Sequence, residues 1–278
     1  MNVKKKVAIM YDFDGTLAPI NMQEYSFIPE VNMEAKDFWK KCADIAKDAN
    51  MDSILAYMYV MTNLAKEKKI TRESFVNHGK GITYFKGVET WFKRINEYGA
   101  SLGLEVEHYI ISCGLKEILE GCSIANEFKR MYACSFYYDK DDVPTWPSQV
   151  INYTTKTQYI YRVRKNMLDN LYDPNELNEY VYVRSKLLPH SNMIYIGDGQ
   201  TDVPSMKLVK EKGGQSIAVY NPSSKSKEEL SKKLYKDNRV NFIAPANYSK
   251  GSRLESIIKD ILQRIVINNK IDKYHKEV

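Results

Sequence analysis

Two aspartates close an apolar segment near the start of the sequence. Residues 7–15 read VAIMYDFDG, so Asp12 and Asp14 follow a run of strand-forming residues. Side chains on a strand alternate between its faces, and carboxylates two positions apart therefore project to the same side. Because like charges that are held together repel, this pair requires a cation, a shared proton or a bound ligand nearby.

A second acidic cluster, GDGQTD at 197–202, follows another apolar run. Asp198 is the first charged residue after that run, and the glycines on either side of it allow a sharp turn or a close approach to a ligand. If its strand lies beside the first one, the carboxylates of Asp12, Asp14 and Asp198 meet. Such a set of oxygen atoms suits Mg²⁺, a hard cation that commonly keeps waters and phosphate oxygens as further ligands. The two clusters therefore predict a magnesium site.

The elements that must position these carboxylates alternate between strand and helix. After a first strand at 7–13, the apolar patterns predict strands at 105–112, 132–138, 192–198, 215–220 and 240–244. Helical patterns separate them, at 88–99, 114–121, 155–169, 203–212 and 223–236, and a last amphipathic helix follows. This alternation predicts an α/β fold with a parallel sheet that helices cover on both faces. Ligands of such sheets bind beyond the carboxyl ends of the strands, where the acidic residues stand.

Residues 18–86 interrupt this alternation with helical patterns alone. The stretch EAKDFWKKCADIAKDAN, for example, repeats its apolar residues at the spacing of one helical face. Glycines between residues 79 and 87 then mark the return to alternation. We therefore predict that 1–17 and 87–278 form an α/β core domain and that 18–86 form a small helical domain inserted into it.

Composition limits the classes of function. Of the 278 residues, 44% are hydrophobic and 27% are charged, which is ordinary for a globular protein with a substantial core. The net charge of +6 comes from scattered basic residues and not from a basic tail, so we expect no nucleic-acid partner. The four cysteines form no CxxC pair and are expected to be reduced thiols. No apolar run is long enough for a signal peptide or a membrane span, so we expect a soluble, cytoplasmic protein without a membrane partner.

These residues resemble a known family. In order, DFDGT at 12–16, YIIS at 109–112, Lys156 within TTKTQ and GDGQTD at 197–202 look like the four motifs of the haloacid dehalogenase superfamily. The pattern is most similar to that of its phosphoserine-phosphatase-like phosphatases. The resemblance implies a Rossmann-like core with a small helical cap of the C1 type, and residues 18–86 occupy the position of that cap, immediately after the first motif.

The resemblance also implies a reaction, the hydrolysis of a small phosphorylated metabolite. Asp12 would be the nucleophile that attacks phosphorus and becomes an aspartyl phosphate, and a carboxylate is already ionised for this at neutral pH. Asp14 would protonate the leaving alkoxide and later deprotonate the hydrolytic water. Ser112 would hydrogen-bond a phosphoryl oxygen. Lys156 would lie between the nucleophile and the phosphate and reduce the repulsion between these two anions.

The metal site follows from the same resemblance. Asp12 and Asp198 would bind Mg²⁺ through their side chains, and Asp14 through its backbone carbonyl. Asp202 would ligate indirectly or orient Lys156. A simpler interpretation is that Asp202 only caps the helix that follows it.

Several alternatives stay open at this stage. Phosphotransfer to another acceptor would use the same residues as hydrolysis. A non-catalytic phosphate-binding or regulatory protein, such as a receiver-like domain, also combines acidic residues, a hydroxyl group and a lysine on a parallel sheet, although the order of the motifs disfavours it. Lys186 rivals Lys156 because it is nearer to Asp198 in sequence, but Lys156 opens a helix after the strand-like VINYT and is therefore preferred.

Two departures from the family pattern bear on the substrate. The phosphoserine phosphatases follow the serine of their second motif with glycines, whereas this sequence has Ser112-Cys113-Gly114. The acidic residue downstream of the first motif, Glu24, is out of their register. The sequence therefore predicts the class of substrate but neither its identity nor the oligomeric state of the protein.

Overall fold

A single mixed sheet organises the computed structural model, which describes residues 5–169, 171, 173–178 and 187–274. Seven strands lie in the order β4-β3-β2-β1-β5-β6-β7. Their bounds are β1 Lys5–Tyr11, β2 Leu104–Leu115, β3 Arg130–Tyr138, β4 Pro144–Gln149, β5 Met193–Gly197, β6 Gln215–Tyr220 and β7 Phe242–Pro245. All neighbouring strands are parallel except β3 and β4. The predicted α/β class is confirmed.

Helices connect these strands and cover the sheet. Those between β1 and β2 are α1 Phe27–Glu30, α2 Ala35–Asp48, α3 Ser53–Lys68, α4 Arg72–His78 and α5 Val88–Ser101. The remaining helices are α6 Lys116–Glu120, α7 Lys156–Lys165, α8 Pro174–Asn178, α9 Val203–Glu211, α10 Lys225–Lys236 and α11 Arg253–Tyr274. Most of the sequence-predicted elements therefore exist at their predicted places.

The central strand β1 is buried on both of its faces. Every residue from Val7 to Tyr11 is 0% exposed, which agrees with the continuous apolar run that parallel strands show. On one side β1 pairs with β2, and on the other with β5. From β1 the sheet continues through β2 and β3 in one direction and through β5 and β6 in the other. The carboxyl end of β1 is therefore the point where strand order reverses, the usual place for a ligand.

Residues 18–86 contain helices and no named strand, as predicted. In this segment the rings of Phe27 and Phe75 stack at 5.5 Å, and Phe75 contacts Phe136 of β3 at 5.7 Å. Helix α3 also packs against β4, and α4 against α6. These helices thus lie over the β3–β4 side of the sheet. Their division from the core as a separate cap domain stays a prediction.

Strand β4 is the strand that the sequence did not predict. It forms an antiparallel hairpin with β3, in which Tyr137 pairs with Trp146 and Phe136 pairs with Pro147. Pro144 and Pro147 made a strand improbable because proline cannot donate to a sheet ladder. An edge strand tolerates proline, since one of its sides has no neighbour to bond.

The polar stretch at 170–190 contains the short helix α8, and much of it lies outside the described residues. Within the described ranges, no helix combines the length and the apolar composition needed to cross a bilayer. The cytoplasmic location stays a prediction.

Candidate active site

The two acidic motifs meet at the carboxyl ends of β1 and β5. The backbone N–H of Asp12 donates to the carbonyl of Ile196 at 2.9 Å, so the residues that follow these strands are held side by side. Carboxylate oxygens of Asp12, Asp198 and Asp202 lie within 4.8 Å of one another, and all three residues are buried. The first and last motifs therefore converge as predicted, but the third carboxylate of the group is that of Asp202 and not that of Asp14.

Lys156 lies inside this group of carboxylates. It is the first residue of α7, it is 0% exposed, and its Nζ lies 3.0 Å from Asp12 Oδ1 and 2.7 Å from Asp202 Oδ1. A buried carboxylate is strongly destabilising unless it is paired, and one ammonium group here serves two of them. The rival lysine, Lys186, lies outside the described residues.

Asp202 is held in place by further donors. Its Oδ1 accepts a hydrogen bond from the Tyr195 hydroxyl at 2.8 Å, and its Oδ2 accepts one from the Gly199 N–H at 3.3 Å. Both oxygens are thus occupied by protein groups, and one of them fixes Lys156. This arrangement corresponds to the orienting role considered for Asp202. Tyr195 was missed by sequence reasoning, although a tyrosine within a fully buried strand generally needs a partner for its hydroxyl.

The environment raises the pKa values of all three groups, the carboxyl groups through burial and the lysine through its acidic neighbours. Burial, with the negative charge of Asp202 beside it, raises the pKa of Asp12 to about 7 although Lys156 opposes the shift. Burial likewise raises the pKa of Asp198. Burial alone would lower the pKa of Lys156, but the adjacent Asp12 and Asp202 carboxylates outweigh it and hold that pKa well above its usual value. Lys156 is therefore charged at neutral pH.

Asp14 faces a different neighbour from Asp12. Its Oδ1 accepts a hydrogen bond from the backbone N–H of Met22 at 2.8 Å, and a Cβ on Gly114 would lie 3.2 Å from its Oδ2. The carboxylate thus turns toward the end of β2 and does not belong to the group of Asp12, Asp198 and Asp202. Its desolvated surroundings and the charge of Asp12 raise the pKa of Asp14 well above its usual value, which favours the protonated form.

Ser112 lies in an irregular part of β2. The register between β2 and β3 shifts between Ile111 and Leu115, and such a bulge changes the direction of side chains beside a site. Ser112 is 1% exposed, and its Oγ accepts a hydrogen bond from the Gly114 N–H at 2.9 Å. A Cβ on Gly114 would overlap the end of the Met22 side chain, which would have to move to make room for it. The Ser-Cys-Gly sequence therefore forms an irregular part of the strand beside Asp14.

A cavity of about 620 Å³ opens over these residues. Of the predicted site residues, Asp12, Asp14, Ser112 and Asp198 line it, whereas Lys156 and Asp202 are not among its lining residues. Its other walls come from residues that sequence reasoning did not assign to the site. Among them are Asn21, Glu24, Trp39, Tyr57, Asn221, Ser224 and Lys227.

The segment 18–86 supplies one wall of the cavity through a fixed carboxylate. Glu24 Oε1 accepts hydrogen bonds from Trp39 Nε1 at 2.7 Å and from Asn21 Nδ2 at 2.6 Å. Tyr57 donates its hydroxyl hydrogen to the Cys113 carbonyl at 2.7 Å, and this bond ties α3 to the irregular part of β2 after Ser112. The inserted helices are thus joined directly to the site.

Helix α10, which packs against β6 and β7, supplies a second lysine to the acidic cluster. Lys227 Nζ lies 2.8 Å from Asp198 Oδ2. Nothing in the sequence distinguishes Lys227 from its neighbours, because α10 contains several lysines without any motif. Sequence reasoning therefore had no signal with which to find it.

The group of carboxylates fits a hard divalent cation. Its donors are oxygen atoms, as Mg²⁺ prefers, and they lie close enough together to share one ion. Gly15 has a φ of +75°, and a Cβ at this position would overlap the Asp198 carboxylate. The backbone of the DFDGT loop can approach Asp198 only because residue 15 is glycine. This approach brings both acidic motifs within reach of a single ion.

Comparison with known proteins supplies the family context. No family model matches the chain. A curated relative from Borreliella burgdorferi, described only as an uncharacterized protein, is 26% identical over 290 residues, which cover 94% of this chain and 98% of that protein.

Comparison with solved structures gives more information about the fold than this relative does. An apo phosphoserine phosphatase superposes with a TM-score of 0.57 at 15% identity, over 92% of this chain and 98% of its own. A phosphoserine phosphatase with an analogue of a phospho-aspartyl intermediate gives a TM-score of 0.53 at 15% identity, over 92% and 99%. A HAD-family hydrolase from Salmonella enterica serovar Typhi gives 0.53 at 17% identity, over 83% and 68%. The chain therefore has the fold that haloacid dehalogenase hydrolases and phosphoserine phosphatases share.

Proposed function

We propose that this protein is a phosphatase of the haloacid dehalogenase kind that hydrolyses a small phosphorylated metabolite through an aspartyl phosphate on Asp12. The observation that carries the proposal is the position of the fully buried Lys156, 3.0 Å from Asp12 and 2.7 Å from Asp202. A charged ammonium at this point offsets the repulsion between a carboxylate nucleophile and a phosphate dianion. The shared fold supports the proposal independently.

In the first step, an oxygen of Asp12 attacks phosphorus and the bond from phosphorus to the leaving oxygen breaks. Asp14 donates its proton to the leaving alkoxide, a role that the raised pKa of this carboxyl group favours. The Met22 N–H holds one oxygen of Asp14 at 2.8 Å, so the other oxygen is available to carry the proton. The products are the alcohol and an aspartyl phosphate.

In the second step, water attacks the phosphorus of the aspartyl phosphate. Asp14, now ionised, takes a proton from this water, and the bond from phosphorus to Asp12 breaks. Inorganic phosphate leaves, and both carboxyl groups return to their starting states. The reaction thus needs two carboxyl groups with different neighbours, and Asp12 and Asp14 differ in this way.

Ser112 binds the phosphoryl group in this proposal. Its oxygen accepts a hydrogen bond from Gly114, which leaves the hydroxyl hydrogen to donate to a phosphoryl oxygen. The cavity of about 620 Å³ is of the size that holds small ligands, and its acidic and aromatic walls leave room for the organic part of the substrate.

The side chains of Asp12 and Asp198, with the backbone carbonyl of Asp14, would hold Mg²⁺. When it is bound, the ion supplies positive charge that stabilises the developing charge on the phosphoryl oxygens. Asp202 orients Lys156 instead of binding the ion, because Lys156, Tyr195 and Gly199 already occupy its oxygens.

The test is turnover of p-nitrophenyl phosphate by the purified protein with Mg²⁺. Asp12→Asn is expected to lower kcat by about a thousandfold or more, since no other group can form the covalent intermediate. Asp44→Asn, which removes an exposed carboxylate on α2, is the matched control and should keep full activity. Circular dichroism establishes that both variants are folded. Unchanged turnover in Asp12→Asn would overturn the mechanism.

A second measurement addresses the intermediate. Mass spectrometry of acid-quenched enzyme should find a phosphoryl group on Asp12 in the wild type and none in Asp12→Asn. A panel of phosphorylated metabolites, ranked by kcat/KM, then identifies the substrate. Release of inorganic phosphate in water alone distinguishes hydrolysis from transfer to another acceptor.

A further inference from the structure

The ion pair between Lys227 and Asp198 stands apart from the proposed reaction. Lys227 Nζ lies 2.8 Å from Asp198 Oδ2, and Asp198 is one of the carboxylates assigned to the cation. Among the described residues that line the cavity, Lys227 is the one with a positive charge. An ammonium group thus lies against an oxygen that the cation would use.

The location of Lys227 on its helix makes this pairing informative. Lys227 is in the first turn of α10, after the N-cap Ser224, whose Oγ accepts a hydrogen bond from the Lys227 N–H. The N-terminus of a helix carries partial positive charge and disfavours a cation. The contact with Asp198 offsets that unfavourable interaction. The ammonium group of Lys227 therefore lies beside the acidic cluster and not in the solvent.

The two members of the pair differ in freedom to move. The Asp198 side chain is 9% exposed and packs against the backbone at Gly15, whereas the Lys227 side chain is 47% exposed. An exposed lysine can leave its partner and regain hydration at little cost. Displacement would therefore move Lys227 and leave the carboxylate in place.

We propose that Lys227 is an internal competitor for the divalent cation at Asp198. The proposal rests on the proposed function, because it assumes that Asp198 binds the ion. In the metal-free protein the ammonium group neutralises Asp198. Binding of the ion releases Lys227 from this contact, and the free energy of the lost pair lowers the affinity of the site for the metal.

The first test is the affinity for Mg²⁺ by isothermal titration calorimetry of the full chain. Lys227→Met keeps a side chain of similar length without the charge, and it is expected to bind Mg²⁺ roughly three- to tenfold more tightly than the wild type. Lys236→Met is the control. It makes the same change of net charge at the exposed far end of α10 and should leave the Kd unchanged.

The second test is thermal unfolding with and without Mg²⁺. Without metal, Lys227→Met leaves Asp198 unpaired and should melt at a lower temperature than the wild type. Saturating Mg²⁺ should then raise the Tm of the variant by more than it raises that of the wild type, because tighter binding stabilises the folded state more. Lys227→Arg, which keeps the charge, should resemble the wild type in both measurements.

The outcomes separate this inference from the proposed function. Equal or weaker Mg²⁺ binding by Lys227→Met would overturn the competition and leave the phosphatase proposal intact. A gain in affinity shared by Lys236→Met would also overturn it, since general electrostatics would then explain the effect. Absence of Mg²⁺ binding by every variant would overturn both the competition and the metal assignment, whereas the activity of Asp12→Asn would still test the nucleophile.

Discussion

The beginnings of α7 and α10 each bring a lysine to the acidic cluster, and the two lysines behave differently. Lys156 of α7 is 0% exposed and contacts both Asp12 and Asp202. The side chain of Lys227 on α10 is 47% exposed, and among the described residues Asp198 is its one ion-pair partner. The lysine ammonium group is thus held firmly at the start of α7, whereas at the start of α10 a cation can take its place beside the carboxylate. Burial and the number of partners, not residue type, make this difference.

The physical reason lies in the cost of separating each pair. Removing one partner from a buried ion pair leaves an uncompensated charge in a medium of low polarity and costs about 3–5 kcal/mol. Separating an exposed pair costs about 0–1 kcal/mol, because water replaces the lost partner. Lys156 therefore belongs to the permanent structure of the site, whereas Lys227 can yield its position to a cation.

The largest expected effect comes from Lys156→Met. Loss of this ammonium leaves Asp12 and Asp202 without their shared partner, so the free energy of unfolding should fall by about 3–5 kcal/mol. Phosphatase activity should fall at least a hundredfold with it, since about 3 kcal/mol of charge stabilisation in a transition state corresponds to that factor. Urea denaturation and kcat measure the two effects.

Lys227→Met provides the comparison for that variant. It removes the same charge from the half-exposed pair, and the free energy of unfolding should fall by less than about 1 kcal/mol. Equal destabilisation by the two substitutions would show that burial does not distinguish the lysines.

An effect that depends on pH is expected for the stability of metal-free Asp12→Asn. In the folded wild type the pKa of Asp12 is about 7, against 3.8 in an unfolded chain. Between these values the folded state binds more protons, so the contribution of Asp12 to stability is present at low pH and is lost as the pH rises toward 7. Asparagine does not titrate. The stability of the variant relative to the wild type should therefore be greater at pH 8 than at pH 4, by about 4 kcal/mol.

Denaturation in EDTA at a series of pH values measures this difference. Asp44→Asn, on the surface of α2, serves as the control and should follow the wild type at every pH. A difference between Asp12→Asn and the wild type that stays constant from pH 4 to pH 8 would contradict the raised pKa.

The smallest effect is expected for Tyr195→Phe. This change removes the hydroxyl group that donates to Asp202 at 2.8 Å, and it should lower the free energy of unfolding by about 1 kcal/mol. Because Asp202 also holds Lys156, kcat should fall several-fold while KM changes little. Tyr235→Phe, on an exposed face of α10, is the matched control. An unchanged kcat in Tyr195→Phe would mean that Lys156 needs no help from this bond.

Most of the fold could be predicted because its elements carry local signals. Buried parallel strands such as β1 and β5 are continuous apolar runs, and helices such as α11 have an apolar stripe. Strand β4 lacked such a signal, since its two prolines are tolerated only at the edge of a sheet. Strand β2 extends to Leu115, past its predicted end, because Leu115 still pairs with Cys134 of β3 beyond the register shift that follows Ile111.

The candidate site was predictable only in part, for a related reason. Asp12, Asp14 and Asp198 can be recognised in the sequence because each is a charged residue at the end of a buried, apolar strand. No local pattern distinguishes Lys227 from the other lysines of α10, and Lys227 is separated from its partner Asp198 by 29 positions in the sequence. Trp39 and Tyr57 line the cavity because of how α2 and α3 pack, which their local pattern does not specify.

The sequence by itself determined the class of fold, the order of the motifs and the two acidic motifs that converge at the ends of β1 and β5, because strand periodicity and apolar runs are local properties. Only the tertiary structure decided which lysine is enclosed by carboxylates, which is half exposed, and which helices wall the cavity. Burial and distance arise from packing between segments that are far apart in the chain. In this protein those two quantities separate a permanent ion pair from one that a cation can replace.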